Sequence, residues 1–285
     1  MAEHNTKGKI FVAYHKPFMM LDRDFIVPVH AGRACQKENK DSGSVNKNGS
    51  SLENLIGDDT GDNISARNNE FNECSVLYWA WKNVDFSKLA YVGFFQYRRQ
   101  FILNDYFDHA KDDFEKRVYK CVHFKKINNG FYDKIDLNED KILSILQEYD
   151  CIIPYTTDLA AMGISSPYED WVRKIPGVHV GDLVKLEEIV KKMHPEIADE
   201  FEEYLNSPKK LMYQIFIARP VIAKQYCKWL FNILFEVDKH IDSSLYSVNG
   251  KRTIGYLAEI LYGFYFTHMK KELKIKECGI TFIDE

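Results

Sequence analysis

No stretch of this 285-residue chain approaches the roughly 18 consecutive apolar residues that a membrane-spanning helix needs. The first residues, MAEHNTKGK, hold no apolar core of the kind that marks a secretory leader. Both absences point to a cytoplasmic protein. The six cysteines (Cys35, Cys74, Cys121, Cys151, Cys227 and Cys278) form no Cys-x-x-Cys pair and no zinc-type spacing. They read as reduced thiols, most of them small apolar packing. Basic residues are not in excess: 38 Lys and Arg against 42 Asp and Glu leave a formal charge of −4. A nucleic-acid binder would carry a basic stripe instead. No internal repeat is present, which excludes a solenoid. What remains, 45% hydrophobic and 28% charged residues, is an ordinary globular composition, long enough to bury a substantial core.

Residues 9–13 (KIFVA) read as a first strand and 25–29 (FIVPV) as a second. Residues 36–56, rich in Lys, Asn, Ser and Gly, read as a flexible insert, either disordered or a lid. The pattern predicts a helix over 68–82 and, over 91–95, a continuous apolar run expected of a strand covered on both faces. Residues 101–136, charged and aromatic, read as helix and loop; 140–148 as a helix; 151–154 as a short buried strand. This alternation predicts an α/β fold with a mixed, mainly parallel sheet flanked by helices. From residue 180 onward the pattern turns mostly helical, over 182–193, after Pro195, over 221–240 and over 253–271, with one strand within 213–218. The expected organisation is one domain over 1–285, an α/β part at 8–160 followed by a mainly helical part at 161–285.

Two polar blocks stand out from this framework. The first is Gly57-Asp58-Asp59-Thr60-Gly61-Asp62-Asn63-Ile64-Ser65. A calcium loop counted from Asp58 would need Gly and Glu where Asn63 and Asn69 stand, so that reading fails. The block either makes ordinary turns and caps or holds sugar hydroxyls or a metal. The second, Gln96-Tyr97-Arg98-Arg99, comes directly off the apolar run at 91–95. Arginines there either snorkel and pair with acids, or hold phosphates with their two-pronged guanidinium groups. The second reading gains from position, because open α/β sheets bind ligands at their strand ends. Many nucleotide-sugar transferases place an Asp-x-Asp and a divalent metal at such a strand end. Here Gln-Tyr-Arg-Arg takes that place, and its cations would stabilise a departing diphosphate without a metal. His15 and Lys16 follow the first strand, and Gly32 after the second permits close backbone approach. His179 and Asp182 open a helix, where Asp182 is either a first-turn acid or a general base. The run 226–235 (YCKWLFNILF) reads as core or subunit interface, with a membrane surface as the alternative.

These residues resemble a bacterial capsular and exopolysaccharide biosynthesis family, catalogued as a domain of unknown function, with a glycosyltransferase-A-like fold. The likeness rests on His15-Lys16, Pro28 to Gly32, Asp58 to Ser65, Glu73, Tyr78-Trp79 with Trp81-Lys82-Asn83, Gly93 and Tyr97-Arg98-Arg99. It continues at His179, Asp182-Leu183, Phe216-Ile217, Tyr226-Cys227, Trp229 to Phe231, Arg252, Gly255 and Glu259. The resemblance implies transfer of a hexosyl group, galactose or galactofuranose, from a UDP-sugar to a glycan or lipid-linked glycan acceptor, in capsule, O-antigen or exopolysaccharide synthesis. It implies no required cofactor beyond that donor and leaves a divalent metal open. It also suggests a peripheral place on the cytoplasmic membrane face or beside other polysaccharide-assembly enzymes.

On this reading His15, Lys16 and Gly32 line the nucleotide pocket, and Arg98 and Arg99, with Tyr97, hold the diphosphate. Asp59, Thr60, Asp62, Asn63, Gln96 and Gln214 meet the substrate. Asp182 is the base, assisted by His179, with Glu259 as the competing candidate. The chain departs from the family pattern where Gln96 replaces a His, where Gln214-Ile215 replaces Asn-Met, and where Ile260 replaces an Arg. Two other classes stay open: a metal-dependent hydrolase using the three acids, and a non-catalytic scaffold, for which the Gln96 and Gln214 changes argue.

Overall fold

In the computed structural model the described residues are 7–20, 22–38, 52–174 and 177–284. Strands run in chain order β1 (Lys9–Tyr14), β2 (Ile26–His30), β3 (Ile56–Gly57), β4 (Val92–Gln96), β5 (Cys121–Phe124) and β6 (Cys151–Pro154). There follow β7 (Thr157–Asp158), β8 (Lys209–Lys210), β9 (Phe216–Ala218), β10 (Ile275–Cys278) and β11 (Ile280–Ile283). One seven-stranded sheet has the order β10-β6-β9-β4-β1-β2-β3. Its pairings are parallel except for the two made by β9. β5 and β11 form a small parallel pair, and β7 and β8 an antiparallel one.

Strand β1 explains why the sheet is covered on both sides. Alternate residues of a strand point to opposite faces. Phe11 and Ala13 join one apolar core, while Ile10, Val12 and Tyr14 join another. The first core is built with the helices Cys74–Asn83, Val180–Met193, Pro220–Asp238 and Thr253–Met269. The run 226–235 belongs there, with Tyr226, Cys227, Leu230, Phe231, Ile233 and Leu234 buried. The second core gathers Phe95, Phe101, Phe131, Ile142 and Ile280 beneath the helix Glu139–Glu148 and the small sheet. Among the described residues no helix is long and apolar enough to cross a membrane.

Several expectations are corrected. The helix over 68–82 is two helices, Asn68–Phe71 and Cys74–Asn83, because Asn72 at φ 51° interrupts the hydrogen-bond ladder. The strand in 213–218 is only Phe216–Ala218, since Tyr213 (φ 78°) and Gln214 (φ 47°) take left-handed conformations that a strand does not allow. The segment 101–136 contains β5, and β10 and β11 lie where no strand was expected. Lys276 and Glu277 in the middle of β10 conceal its parallel pairing with β6. Of the insert at 36–56, residues 39–51 lie outside the described residues. Its flanks are ordered, as a helix over Arg33–Glu38, a 3-10 turn over Leu52–Asn54, and β3.

Gly93 in β4 stands opposite Ile10 of β1, and a Cβ there would come 2.7 Å from Ile10 Cγ1. Overpacking a filled core costs about 1–3 kcal/mol. Gly93→Val should therefore lower the melting temperature in a calorimetric scan; a melting temperature equal to that of the parent would contradict this account of the β1–β4 seam.

Candidate active site

The chain steps from β1 to β2 and β3 on one side and then returns to place β4 on the other. Such a reversal leaves a crevice beyond the carboxyl ends of the strands. A cleft of about 1040 Å³ lies there. His15 and Lys16 enter it from the end of β1, Gly32 from the end of β2, and Gln96, Tyr97, Arg98 and Arg99 from the end of β4. The opposite wall is the start of the helix Thr253–Met269, with Arg252, Tyr256 and Glu259. The break at Asn72 turns Glu73 into the same space.

The cleft is electropositive although the chain is acidic. Lys16, Arg98, Arg99, Lys251 and Arg252 line it, against Glu73 and Glu259. Arg98 donates from Nη2 to the Asp284 carbonyl at 3.1 Å and lies over the rings of Tyr97 and Phe282. Arg99 donates from Nη1 to Gln96 Oε1 at 2.7 Å, with its guanidinium 4.7 Å from the Tyr213 ring centre. Neither has a carboxylate partner among the described residues, and the buried Nε of each lacks an acceptor. A buried donor left unpaired costs about 1–3 kcal/mol. Burial, then the charges of Lys16, Arg252 and Arg98, hold the His15 imidazole below its usual pKa. His15 therefore meets a ligand neutral rather than as a further cation.

Gln96 joins the two walls. Its Nε2 donates to Glu73 Oε1 and to the Tyr213 carbonyl, and its Oε1 accepts from Arg99. Both amide hydrogens are thus used, so on the cleft lining Gln96 can meet a sugar hydroxyl only as an acceptor, through the remaining lone pair of Oε1. The left-handed backbone at Tyr213 and Gln214 turns the Tyr213 carbonyl toward Gln96 and its N–H toward Glu259 Oε2, at 3.1 Å. Such conformations cost roughly 1–3 kcal/mol each and persist only where surrounding contacts dictate them. Glu259 Oε1 lies 3.5 Å from the buried Lys210 ammonium, which is 2.7 Å from Asp170. Burial, and next to it the Glu259 charge, push the Glu73 carboxyl above its usual pKa, while Arg252 and Arg99 oppose the shift.

Other predicted residues lie elsewhere. Asp59 pairs with Arg33 at 2.6 Å, Thr60 Oγ1 accepts from Trp79 Nε1 at 2.9 Å, and Asp62 binds the Tyr78 hydroxyl and Lys82. Asn63 accepts from the Ser65 N–H at 3.1 Å and donates to the Gly61 carbonyl. These four residues serve the loop itself and do not line the cleft. Asp182 is buried, accepting from the Tyr246 and Thr253 hydroxyls at 2.9 and 2.7 Å. His179 packs on the Tyr246 ring, so this pair too stands outside the cleft. Gln214 is buried against Cys74 and the Tyr226 hydroxyl. Among the described residues no three His, Cys, Asp or Glu side chains group as metal ligands.

Sequence reasoning gave no role to Glu73, Arg252, Tyr213 or Lys210. Glu73 and Arg252 had a usable signal, each being the charged residue just before an apolar helix. Lys210 had none, because its burial depends on partners 40 and 49 residues away.

An acid whose folded-state pKa is raised binds more protons folded than unfolded, so its contribution to stability falls as pH climbs from its unfolded value. Glu73 is such a group. Glu73→Gln should melt increasingly above the parent as pH is raised from about 5 to about 8. A difference constant across that series would refute the burial of an ionising Glu73.

The family model described as Domain of unknown function (DUF4422) matches residues 9–271. No curated protein matches the chain significantly. Among solved structures, the apo structure of the WbbM bifunctional glycosyltransferase matches with a TM-score of 0.83 at 29% identity. The match covers 98% of this chain and 46% of that one, so the chain spans about half the length of WbbM. The mainly parallel sheet with its flanking helices is thus a glycosyltransferase-like α/β fold. With a match running from β1 to just beyond the helix Thr253–Met269, the chain belongs to the DUF4422 family.

Proposed function

We propose that the cleft binds a nucleoside-diphosphate sugar and transfers its hexosyl group to an acceptor hydroxyl. The observation that carries this reading is the pair Arg98 and Arg99, fixed on the cleft at a strand end and without carboxylate partners among the described residues. The acceptor oxygen forms a bond to the anomeric carbon as the bond from that carbon to the diphosphate breaks. Negative charge then grows on the diphosphate, where the two guanidinium groups, with Lys16 beside them and Arg252 across the cleft, stabilise it. Glu259 takes the proton from the acceptor hydroxyl, since it is on the cleft wall and Asp182 is not. Tyr97 packs beneath Arg98, edge-on to Phe18 and His15, and holds that end of β4 in place.

The finer reading is a UDP-hexose donor, galactose or galactofuranose, and a glycan or lipid-linked glycan acceptor in capsule, O-antigen or exopolysaccharide synthesis. It rests on the family resemblance and on the likeness to the WbbM glycosyltransferase. A cytoplasmic place, peripheral at the membrane face or beside other polysaccharide-assembly enzymes, belongs to the same proposal. Binding as proposed asks for no metal, and a divalent ion brought by the donor is compatible with it.

A thermal-shift screen with UDP, GDP, CDP and dTDP sugars tests binding, because a ligand held only by the native state raises its melting temperature. A shift with UDP sugars is expected; no shift with any donor would favour a scaffold. Arg98→Ala should weaken UDP about 10- to 100-fold by calorimetry, the loss of one charge-assisted bond worth about 1.5–3 kcal/mol, with an unchanged circular dichroism spectrum. Unaltered UDP affinity would remove the diphosphate role. Glu259→Gln should lower kcat by roughly 10²–10⁴ while UDP still binds, and a parental kcat would exclude Glu259 as base.

A further inference from the structure

We infer that Lys210 and Asp170 are positioning residues that hold Glu259 in the cleft as the acceptor-side carboxylate; this inference rests on the transferase reading above. Lys210 belongs to the two-residue strand β8, whose neighbouring side chains face opposite ways. Lys209 is exposed and pairs with Asp158, whereas the Lys210 side chain is only 3% exposed. A lysine is almost never buried unless it is paired. Lys210 meets two carboxylates from two helices, Asp170 of Pro167–Lys174 at 2.7 Å and Glu259 of Thr253–Met269 at 3.5 Å.

The two contacts differ in kind. Asp170 is as buried as Lys210, and a one-to-one pair of this type would satisfy both charges. Glu259 is 29% exposed and lies on the cleft wall. Lys210 therefore spans from a closed internal pair to an open one. Burial alone would lower its pKa, but the Glu259 and Asp170 charges outweigh that and raise it, so the ammonium stays charged. Replacing a buried ion pair by apolar groups of similar volume is often neutral or stabilising, so stability alone does not account for the arrangement.

What the pair does is geometric. Lys210 reaches Glu259 Oε1, and the Tyr213 N–H reaches Oε2. An ammonium 3.5 Å from one oxygen and a backbone N–H bonded to the other restrain the plane of the carboxylate, leaving lone pairs for the cleft. Glu73 shares that cleft, and the two acids repel each other. With Lys210 removed, Glu259 would keep one tether and turn away from its working orientation, a displacement that can cost about 100-fold in rate without loss of binding.

The test is steady-state kinetics on the full chain with the UDP-hexose it turns over fastest, comparing Lys210→Met, Asp170→Asn, Glu259→Gln and the double variant Lys210→Met with Glu259→Gln. Lys210→Met should lower kcat about tenfold or more, with donor KM and calorimetric UDP affinity within about twofold of the parent. Placed on Glu259→Gln it should cost nothing further, since both changes act through one carboxylate. Should Lys210→Met fold poorly, Lys210→Met with Asp170→Leu removes the internal pair without stranding a charge and should show the same kcat loss. A parental kcat in a folded variant, or losses that multiply in the double variant, would overturn the inference. A parent protein that turns over no nucleotide sugar defeats the transferase reading itself, and this proposal with it.

Discussion

Behind the cleft, the carboxylate of Asp58 is fully buried and accepts from four donors. They are the backbone N–H groups of Gly32 and Arg33 and the hydroxyls of Ser65 and Ser75, with Gly32 at 2.9 Å and Ser75 at 2.6 Å. These donors come from the turn after β2, the far end of the acidic loop, and the helix Cys74–Asn83. A buried carboxylate without such partners would cost several kcal/mol, so the three segments are held to one mutual placement. Gly32 can sit there only because it has no side chain: at φ 66°, a Cβ would come 2.7 Å from the Asn68 side chain. Asn72 and Glu73, one turn before Ser75, are placed in the cleft by the same anchor.

This arrangement separates two kinds of charge. The acids of the loop are consumed locally, Asp59 by Arg33 and Asp62 by Lys82 and Tyr78, and none of them lines the cleft, where Glu73 and Glu259 are the acids present. The cations at the strand ends rest on carbonyls and aromatic faces, which orient a guanidinium without neutralising it. An anion approaching the carboxyl ends of β1, β2 and β4 therefore meets an excess of positive charge in a crevice, where field lines concentrate.

The outline of the fold was legible because β1, β4 and the long helices carry strong periodic signals, and those signals are local. The place of Arg98 and Arg99 at the cleft was legible for a related reason: charge immediately after a buried apolar run falls at the strand end. The acidic block misled because Asp, Asn, Thr and Gly make hydrogen-bonded turns as readily as binding sites, and their partners Arg33, Trp79 and Lys82 are set by tertiary contacts. Asp182 misled in the same way, its hydroxyl partners lying 64 and 71 residues on. The left-handed pair Tyr213-Gln214 gave no signal at all, since neither residue favours that conformation and only the surrounding hydrogen bonds impose it.

The strand that carries the arginines is sewn to a distant stretch of chain. Ile283 N–H bonds the Arg98 carbonyl, Thr281 N–H the Gln100 carbonyl, and Ile102 N–H the Gly279 carbonyl, at 2.8–3.0 Å. Phe282 from that stretch lies beneath both guanidinium groups. Contacts so remote in sequence close large loops and are intrinsically slow to form. Partly folded chains consequently lack the proposed anion seat, and under that proposal affinity for pyrophosphate-bearing nucleotides would report completed folding, silent in any intermediate that has not yet joined these two remote segments.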